Sequence, residues 1–589
     1  MHQPLEFYER EKKSLEEELE KIKKRLTINS VTRLITFFVT SYVIYSTFTK
    51  TNLVFLYSFL GMCFFIFLVV KHTKLQREKD IREAKININT NEIAVLKGDY
   101  SNLSFGSEFL DPTHFYSHDI DLFGEGSFFQ YLNRTTTQAG RKFLAKTVTE
   151  NSLTDIKEKQ EVLKELSKKV KWRQNFSAIS SLIAINTSTT TILNWILGYE
   201  KVLPNFLNFC GKFFPYLSIG FIALNALEFI DFWVLLVWFF IGLTITGCYF
   251  KSINDLYTNV GKAKEVFKQY HLLLEAIEDE SFASSKLQEK QKEIMSEDKK
   301  ASVIFKQFSK ILDAFDQRNN VIIAVLGNGL FLWDIQNAVK TEKWIEKYKN
   351  VVEKWFDVVS FFDAKNTLAN FVYNHPTYIF PAISKEKNLI NAKQLGHPLL
   401  NPNKRVDNDF NIDQEQFFII TGANMAGKST FLRTISLAVV MSNCGLPVCA
   451  KEFNYFPVKL ITSMRTTDSL TDDESYFYSE LKRLKFIIDT IKTEDYFIIL
   501  DEILKGTNSK DKATGSKQFV EKLNSSASTG IIATHDISLC ELSETYNTIE
   551  NYYFDAEIVN DELYFDYSMK NGVCKNMNAS FLLKKMDII

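Results

Sequence analysis

The chain has no Cys-x-x-Cys spacing; its seven cysteines (Cys63, Cys210, Cys248, Cys444, Cys449, Cys540, Cys574) are scattered along 589 residues. Neither zinc nor a disulfide framework is therefore expected, and the cysteines read as reduced, mostly buried thiols in a chain facing the cytoplasm. Charge of one sign is not in excess either. Lys+Arg 70 against Asp+Glu 71 leaves a net charge of -1, so any contact with nucleic acid must rest on a local patch. Internal repeats and low-complexity tracts are not evident. Glycine is sparse over residues 121–204 and 251–382, where Lys and Glu abound and the pattern reads as extended helix. What the chain has in quantity is aromatic: 51 Phe and 14% Phe, Trp and Tyr together, concentrated in two apolar blocks. Its length predicts several domains.

The first block follows a charged segment, residues 5–28, with Leu15, Leu19, Ile22 and Leu26 at helical spacing. Leu34 to Thr49 and Leu53 to Val70 then form two apolar runs without an acidic or basic residue, separated only by Lys50-Thr51-Asn52. Each is close to the roughly 17–25 residues that a spanning helix needs. Lys23, Lys24, Arg25 and Arg33 precede the pair and Lys71, Lys74 and Arg77 follow it, which puts both ends on the cytoplasmic side. A cleavable signal peptide is not expected, because the apolar run begins late and a second follows at once. The second block repeats the pattern at Phe213–Phe229 and Phe232–Phe250, flanked by Lys212 and Lys251, with Glu228 and Asp231 at its tip. Four spans with both termini inside are expected; the alternative is buried helices in a soluble bundle.

In Gly126 to Leu144, Gly140 interrupts an apolar-periodic run, where it costs about 1 kcal/mol against Ala unless a close helix crossing needs it.

From about residue 385 strands and helices alternate. Phe417 to Thr421 is a β-rich apolar run leading into Gly422-Ala423-Asn424-Met425-Ala426-Gly427-Lys428-Ser429-Thr430, followed by a helical pattern. This is the strand, glycine loop and helix of a phosphate-binding loop. Its N–H groups wrap a triphosphate, Lys428 reaches the β/γ-phosphates and Ser429 ligates Mg2+. Phe497 to Leu500 ends in Asp501-Glu502, a Walker B arrangement: Asp501 for Mg2+ and Glu502 to polarise the attacking water. Ile531 to Thr534 ends in His535, a candidate γ-phosphate sensor, although a lone histidine is more often structural. Lys505 to Asp511 is a polar loop suited to a protomer interface.

Thr421 to Thr430, Asp501 to Ser509 and Ala533-Thr534-His535 together resemble the MutS family of DNA mismatch-repair ATPases, with Asn424-Met425 the most telling pair. Gly396 to Leu400, Gly126 to Leu144, Phe361 to Pro381 and Asn571 to Ala579 resemble further family segments: the opening of the ATPase domain, the start of the helical core and lever, the last lever helix and the C-terminal dimerisation region. The resemblance covers roughly residues 120–589 apart from the second hairpin. It implies ATP and Mg2+ as cofactors and a homodimer with composite sites. Asp468 to Glu480 would be the signature segment, with Ser475 contacting the γ-phosphate in trans and Phe477 and Glu480 also matching. The chain departs from the pattern at Asp473 and Ala426, where glycine is usual. Arg405 stands where an aromatic would stack on the base; a guanidinium can stack too.

The expected fold is multidomain. It comprises a charged helix (1–28), a transmembrane hairpin (29–72), a connector (73–120), and a helical core and lever (121–204 and 251–382). A second transmembrane hairpin (205–250) interrupts the lever, and an α/β P-loop domain of ABC type with a dimerisation segment completes the chain (385–589). Phe7-Tyr8-Glu9 spells the family's mismatch-reading triplet but is read as chance, since no reader domain surrounds it; no room for a connector domain of the family's kind remains before Leu122, and no nuclease-like domain is expected after residue 589. The expected function is a membrane-anchored MutS-like ATPase, multi-pass in the cell membrane with the ATPase in the cytoplasm, acting on double-stranded or branched DNA. The alternatives are an ABC-type transport ATPase, disfavoured because the Leu-Ser-Gly-Gly-Gln signature is absent, and an ATP-regulated membrane scaffold without DNA binding.

Overall fold

The computed structural model describes residues 3–48, 54–182, 188–295, 299–384, 388–423, 425–465, 476–559 and 562–574. It opens with two long helices, α1 (Pro4–Thr47) and α2 (Val54–Leu96). Two boundaries differ from expectation. The charged segment and the first apolar run are one uninterrupted helix, and the second run continues to Leu96, through the stretch expected as a separate connector. No glycine or proline lies between Met62 and Leu96 to stop it. Termination comes at Gly98, whose φ of 94° allows its N–H to bond back to the Val95 carbonyl. Leu15, Leu19, Ile22 and Leu26 are buried, and Ile22 and Leu26 pack with Leu75. Above them the apolar halves are largely exposed, from Leu34 to Tyr45 on one helix and from Phe55 to Phe67 on the other.

The polar halves form a stem seated on a helical body. This body includes α3 (Gln138–Thr149), α4 (Val170–Ser181), α5 (Phe206–Ala226), α6 (Phe232–Cys248), α7 (Phe250–Glu278), α8 (Ala301–Asp316) and α9 (Trp333–Asn374). Tyr8, fully buried, donates its hydroxyl to Asn374 Oδ1 at 2.8 Å, so the triplet around it serves the packing of the stem. Glu92 accepts from Arg134 Nε at 2.5 Å and from Asn374 Nδ2 at 2.8 Å, which ties α2 to the C-terminal end of α9. An aromatic core of Phe267, Phe305, Phe308, Trp344 and Phe356 joins α7, α8 and α9; Phe308 and Trp344 stack with ring centroids 3.7 Å apart.

Among the described residues three helices could cross a membrane by length and composition: α1, α2 and α5. A fourth span results if α6 and α7, bent by 65° at their junction, are counted together. Helix α5 begins at Phe206, seven residues before the apolar run was expected to start.

The C-terminal part is α/β. Six strands form one sheet: β1 (Phe417–Gly422), β2 (Lys459–Ser463), β3 (Tyr496–Asp501), β4 (Thr529–Ala533), β5 (Ile549–Phe554) and β6 (Met569–Asn571), in the order β6-β5-β1-β4-β3-β2. All neighbours are parallel except the β6 edge. The interior strands are continuous apolar runs because helices cover both faces. A smaller four-stranded sheet, including Asn388–Leu395 and Asn408–Asp413, packs beside it. Helices α10 (Lys428–Asn443), α11 (Tyr476–Thr490) and α12 (Ser509–Ser525) connect the strands. Arg483 on α11 donates to the carbonyls of Thr462, His114 and Phe115, and Asp119 accepts the Thr462 hydroxyl and the Arg465 N–H. Residues 113–121 thereby strap the helical body to the β2 edge.

Candidate functional site

The parallel register decides which loops meet. Ile420 and Asp501 both pair with Ala533, so the chain leaves β1, β3 and β4 at one sheet edge with Gly422, Glu502 and His535 side by side. Parallel sheets bind ligands in such a crevice, beyond the carboxyl ends of their strands. Here it is a cavity of about 550 Å³, lined by residues from the glycine loop, Asp501, Glu502, His535 and the loop around Arg405.

Gly427 has φ 104°, a backbone state costly for any residue with a Cβ, and a Cβ there would also lie 3.0 Å from the Tyr567 ring. Helix α10 starts at the next residue, so its unpaired N–H groups and positive dipole end face the cavity. Lys428 is buried and donates to the carbonyls of Gly422 at 2.7 Å and Ala423 at 3.0 Å. Burial lowers its pKa, with Asp501 and Glu502 pulling the other way. Ser429 Oγ donates to Asp501 Oδ2 at 2.6 Å. A hydroxyl and a carboxylate this close supply two hard oxygens, the kind of set Mg2+ takes when phosphate oxygens and water complete its shell. Thr430 lines the cavity in the first turn of α10; Ala426 is buried and Met425, at φ 65°, is exposed.

Glu502 adopts φ 49° and donates its N–H to the Ala533 carbonyl at 2.9 Å, a turn that aims its carboxylate back across the strand ends. Its oxygens lie 3.6 Å from His535 Nε2 and 3.6 Å from Lys505 Nζ. The histidine Nε2 is also 3.4 Å from Lys428 Nζ. Burial and the lysine charge lower the pKa of His535, while the two carboxylates pull the other way. The four groups form one contiguous set, able to hold an anion, a divalent cation and an oriented water together.

Arg405 lines the same cavity, held by Asp407 at 2.5 Å through Nε and 3.2 Å through Nη2. Tyr567 was not foreseen. It reaches the cavity from a segment about 140 residues downstream of the glycine loop, anchored where its carbonyl accepts from Asn408 Nδ2 at 3.0 Å. No local pattern marks it; only the antiparallel β6 return brings it there. Glu480 is buried and accepts the Lys505 N–H at 2.9 Å, and Phe477 packs against Gly506. Burial raises the Glu480 carboxyl pKa against the neighbouring backbone N–H groups. These two residues of the signature segment therefore shape the loop after Glu502 within the same chain. Asn424, Ser475 with the rest of Asp468 to Glu474, and residues 575–579 lie outside the described residues.

The architecture is that of a mostly helical protein with a C-terminal α/β part whose loops converge at one sheet edge. Residues 418–584 match the family model of MutS domain V. DNA mismatch repair protein MutS of Staphylococcus aureus strain JH9 is 26% identical over 286 residues, covering 47% of this chain and 32% of that protein, and the same figures hold for strain Newman. Over its C-terminal part the chain is therefore similar to the MutS family. It spans about a third of the length of these curated relatives.

Proposed function

We propose that the chain is a membrane-anchored, MutS-like ATPase. The observation that carries this reading is the convergence of Lys428, the Ser429–Asp501 pair, Glu502 and His535 on one cavity. The residues fit ATP with Mg2+. Gly422, Ala423, Ala426 and Gly427 would cradle the phosphates with Asn424 and Met425. Lys428 would exchange its two carbonyl partners for phosphate oxygens, and Ser429 and Asp501 would hold the metal, which supplies charge neutralisation on the phosphates when bound. Glu502 would orient and deprotonate the attacking water, and His535 would sense the terminal phosphate. Arg405 and Tyr567 flank the remaining space, where a base would lie.

The exposed apolar surfaces of α1, α2, α5 and α6 support anchoring in the cell membrane, with the α/β part in the cytoplasm. Closure of a homodimer, with Ser475 acting in trans, would then move the helical body through the strap at residues 113–121. Duplex or branched DNA is the proposed partner, on the strength of the family. The test is ATP hydrolysis and DNA binding by the detergent-purified full chain, across duplex, mismatched and branched DNA at stated salt. Hydrolysis that is lost in Glu502→Gln supports the enzyme assignment; wild-type turnover in that variant refutes it. Absence of binding to every DNA removes DNA as the partner and favours a membrane scaffold.

A further inference from the structure

Between α8 and α9 the chain runs from Asn319 to Trp333 without one acidic or basic residue. Arg318 and Asp334 close the base of this segment. Their side chains are 8% and 4% exposed, Nε lies 3.3 Å from Oδ2, and the guanidinium sits 4.9 Å over the Tyr257 ring. Above the pair the chain winds through a π-helical turn (Ile323–Gly327) and a short helix (Asn328–Phe331), then breaks at Leu332 with φ 50°.

Two features of this segment point the same way. Val321, Ile322, Val325 and Leu326 are 76%, 66%, 43% and 50% exposed, an apolar face at a place where a water-facing turn would be polar. Asn319 and Asn320 at its start are exposed, but the polar side chains further along the segment and at its foot are paired internally. Asn328 donates to the Ala324 carbonyl at 2.9 Å and accepts the Asp334 N–H at 2.8 Å. Trp333 Nε1 reaches the Ala314 carbonyl at 2.8 Å, and Gln336 Nε2 reaches the Phe331 carbonyl at 2.7 Å. Irregular backbone needs such internal pairing when no water is available to it.

The segment is also continuous with the second hairpin. Gly329 sits against the Phe239 ring, and Gly242 of α6 sits against the Gly329 carbonyl so closely that a Cβ there would overlap it. Small residues permit this kind of approach between membrane helices. Gly242 lies six residues before Cys248, about 9 Å along the helix from the bend into α7. The apolar face thus lies at the level of the α6 end nearest the helical body.

We infer that residues 319–333 are embedded in the hydrocarbon of the bilayer leaflet beside the second hairpin, so that lipid acyl chains are the partner of the turn joining α8 to α9. An apolar run of this length is too short to span and suits a re-entrant or interfacial element. The inference rests on the membrane-anchored reading. Its consequence is mechanical: α9 runs from this lipid-held turn to Asn374, which is bonded to Tyr8 and Glu92 of the stem, so both ends of one helix are fixed to membrane-attached elements.

The test is depth-dependent fluorescence quenching on the full chain in phosphatidylcholine vesicles containing lipids brominated on their acyl chains. Cys63, Cys210 and Cys248, the cysteines that are not buried, are replaced by Ser. A bimane label is then placed through Ile322→Cys or Val325→Cys, both at exposed positions, with Met62→Cys and Ile241→Cys as references for the two hairpins and Lys310→Cys as the aqueous reference. Loss of fluorescence at 322 and 325 matching that at 62 and 241, with none at 310, is expected. Quenching at 62 and 241 but not at 322 and 325 overturns the inference and leaves the anchored reading standing. No quenching at 62 and 241 overturns the anchored reading, and the inference with it.

Discussion

Gly140 lies directly against the carboxylate of Asp363, so close that a Cβ on residue 140 would occupy the place of Oδ2. Asp363, buried in α9, accepts the N–H groups of Thr136 and Thr137 and the Thr137 hydroxyl, at 2.6 Å, while that hydroxyl in turn accepts the Gly140 N–H at 2.9 Å. One carboxylate thereby caps α3 and fixes where it crosses α9. Gly140→Ala is expected to destabilise the chain by about 1–3 kcal/mol, because overpacking outweighs the roughly 1 kcal/mol that Ala gains in helix propensity. Thermal unfolding in detergent, followed by circular dichroism, checks it; an unchanged or raised midpoint would show that the crossing can relax.

The stem joint offers a second handle. Glu92 is buried, and attraction from Arg134 with hydrogen bonds from that side chain and Asn374 lowers its carboxyl pKa despite burial. Glu92→Ala leaves Arg134 largely buried without its partner, a loss of about 3–5 kcal/mol. Limited proteolysis should then cut the 97–110 segment faster than in the parent chain, since α2 loses its hold on α9.

Lys428→Ala should weaken ATP binding by about 10- to 100-fold or more, the value of a charge-assisted contact to a buried anion. Equilibrium binding of a fluorescent ATP analogue measures it. Retained affinity would mean that the cavity holds its ligand without the loop lysine.

Two histidines make stability pH-dependent. Burial pushes His375 and His397 down to about 4 each. In the unfolded chain they titrate near about 6.5. Between these values only the unfolded chain takes up the protons, so stability is full above about pH 6.5 and falls toward pH 4, by up to about 1.4 kcal/mol per pH unit for each ring. His375 Nε2 faces the Tyr131 hydroxyl at 2.8 Å and Nδ1 faces the Phe371 carbonyl at 2.8 Å, which fits a neutral ring. Denaturant midpoints measured from pH 7 to pH 4.5 should fall, and less steeply in His375→Gln.

Much of the site is legible in the residues because it is local. Gly422 to Thr430, Asp501-Glu502 and His535 each sit at a strand end announced by its own apolar run. The expected close packing at Gly140 is present, with Asp363 as the neighbour that no spacing could name. Helix continuity was less legible: the change from charged to apolar near Leu34 reads as a boundary, yet backbone hydrogen bonding ignores polarity and α1 and α2 pass straight through.

The sequence by itself determined the glycine loop, the paired carboxylates, the apolar runs and the resemblance to the MutS family, since each depends on residues near one another in the chain. Tertiary structure alone decided that Tyr567 faces Gly427, that Glu480 shapes the Lys505 loop, that Glu92 ties the stem to α9 and that the charge-free turn at 319–333 lies against Gly242. Those relations join residues tens to hundreds of positions apart, and only parallel register and helix crossing bring them within bonding distance.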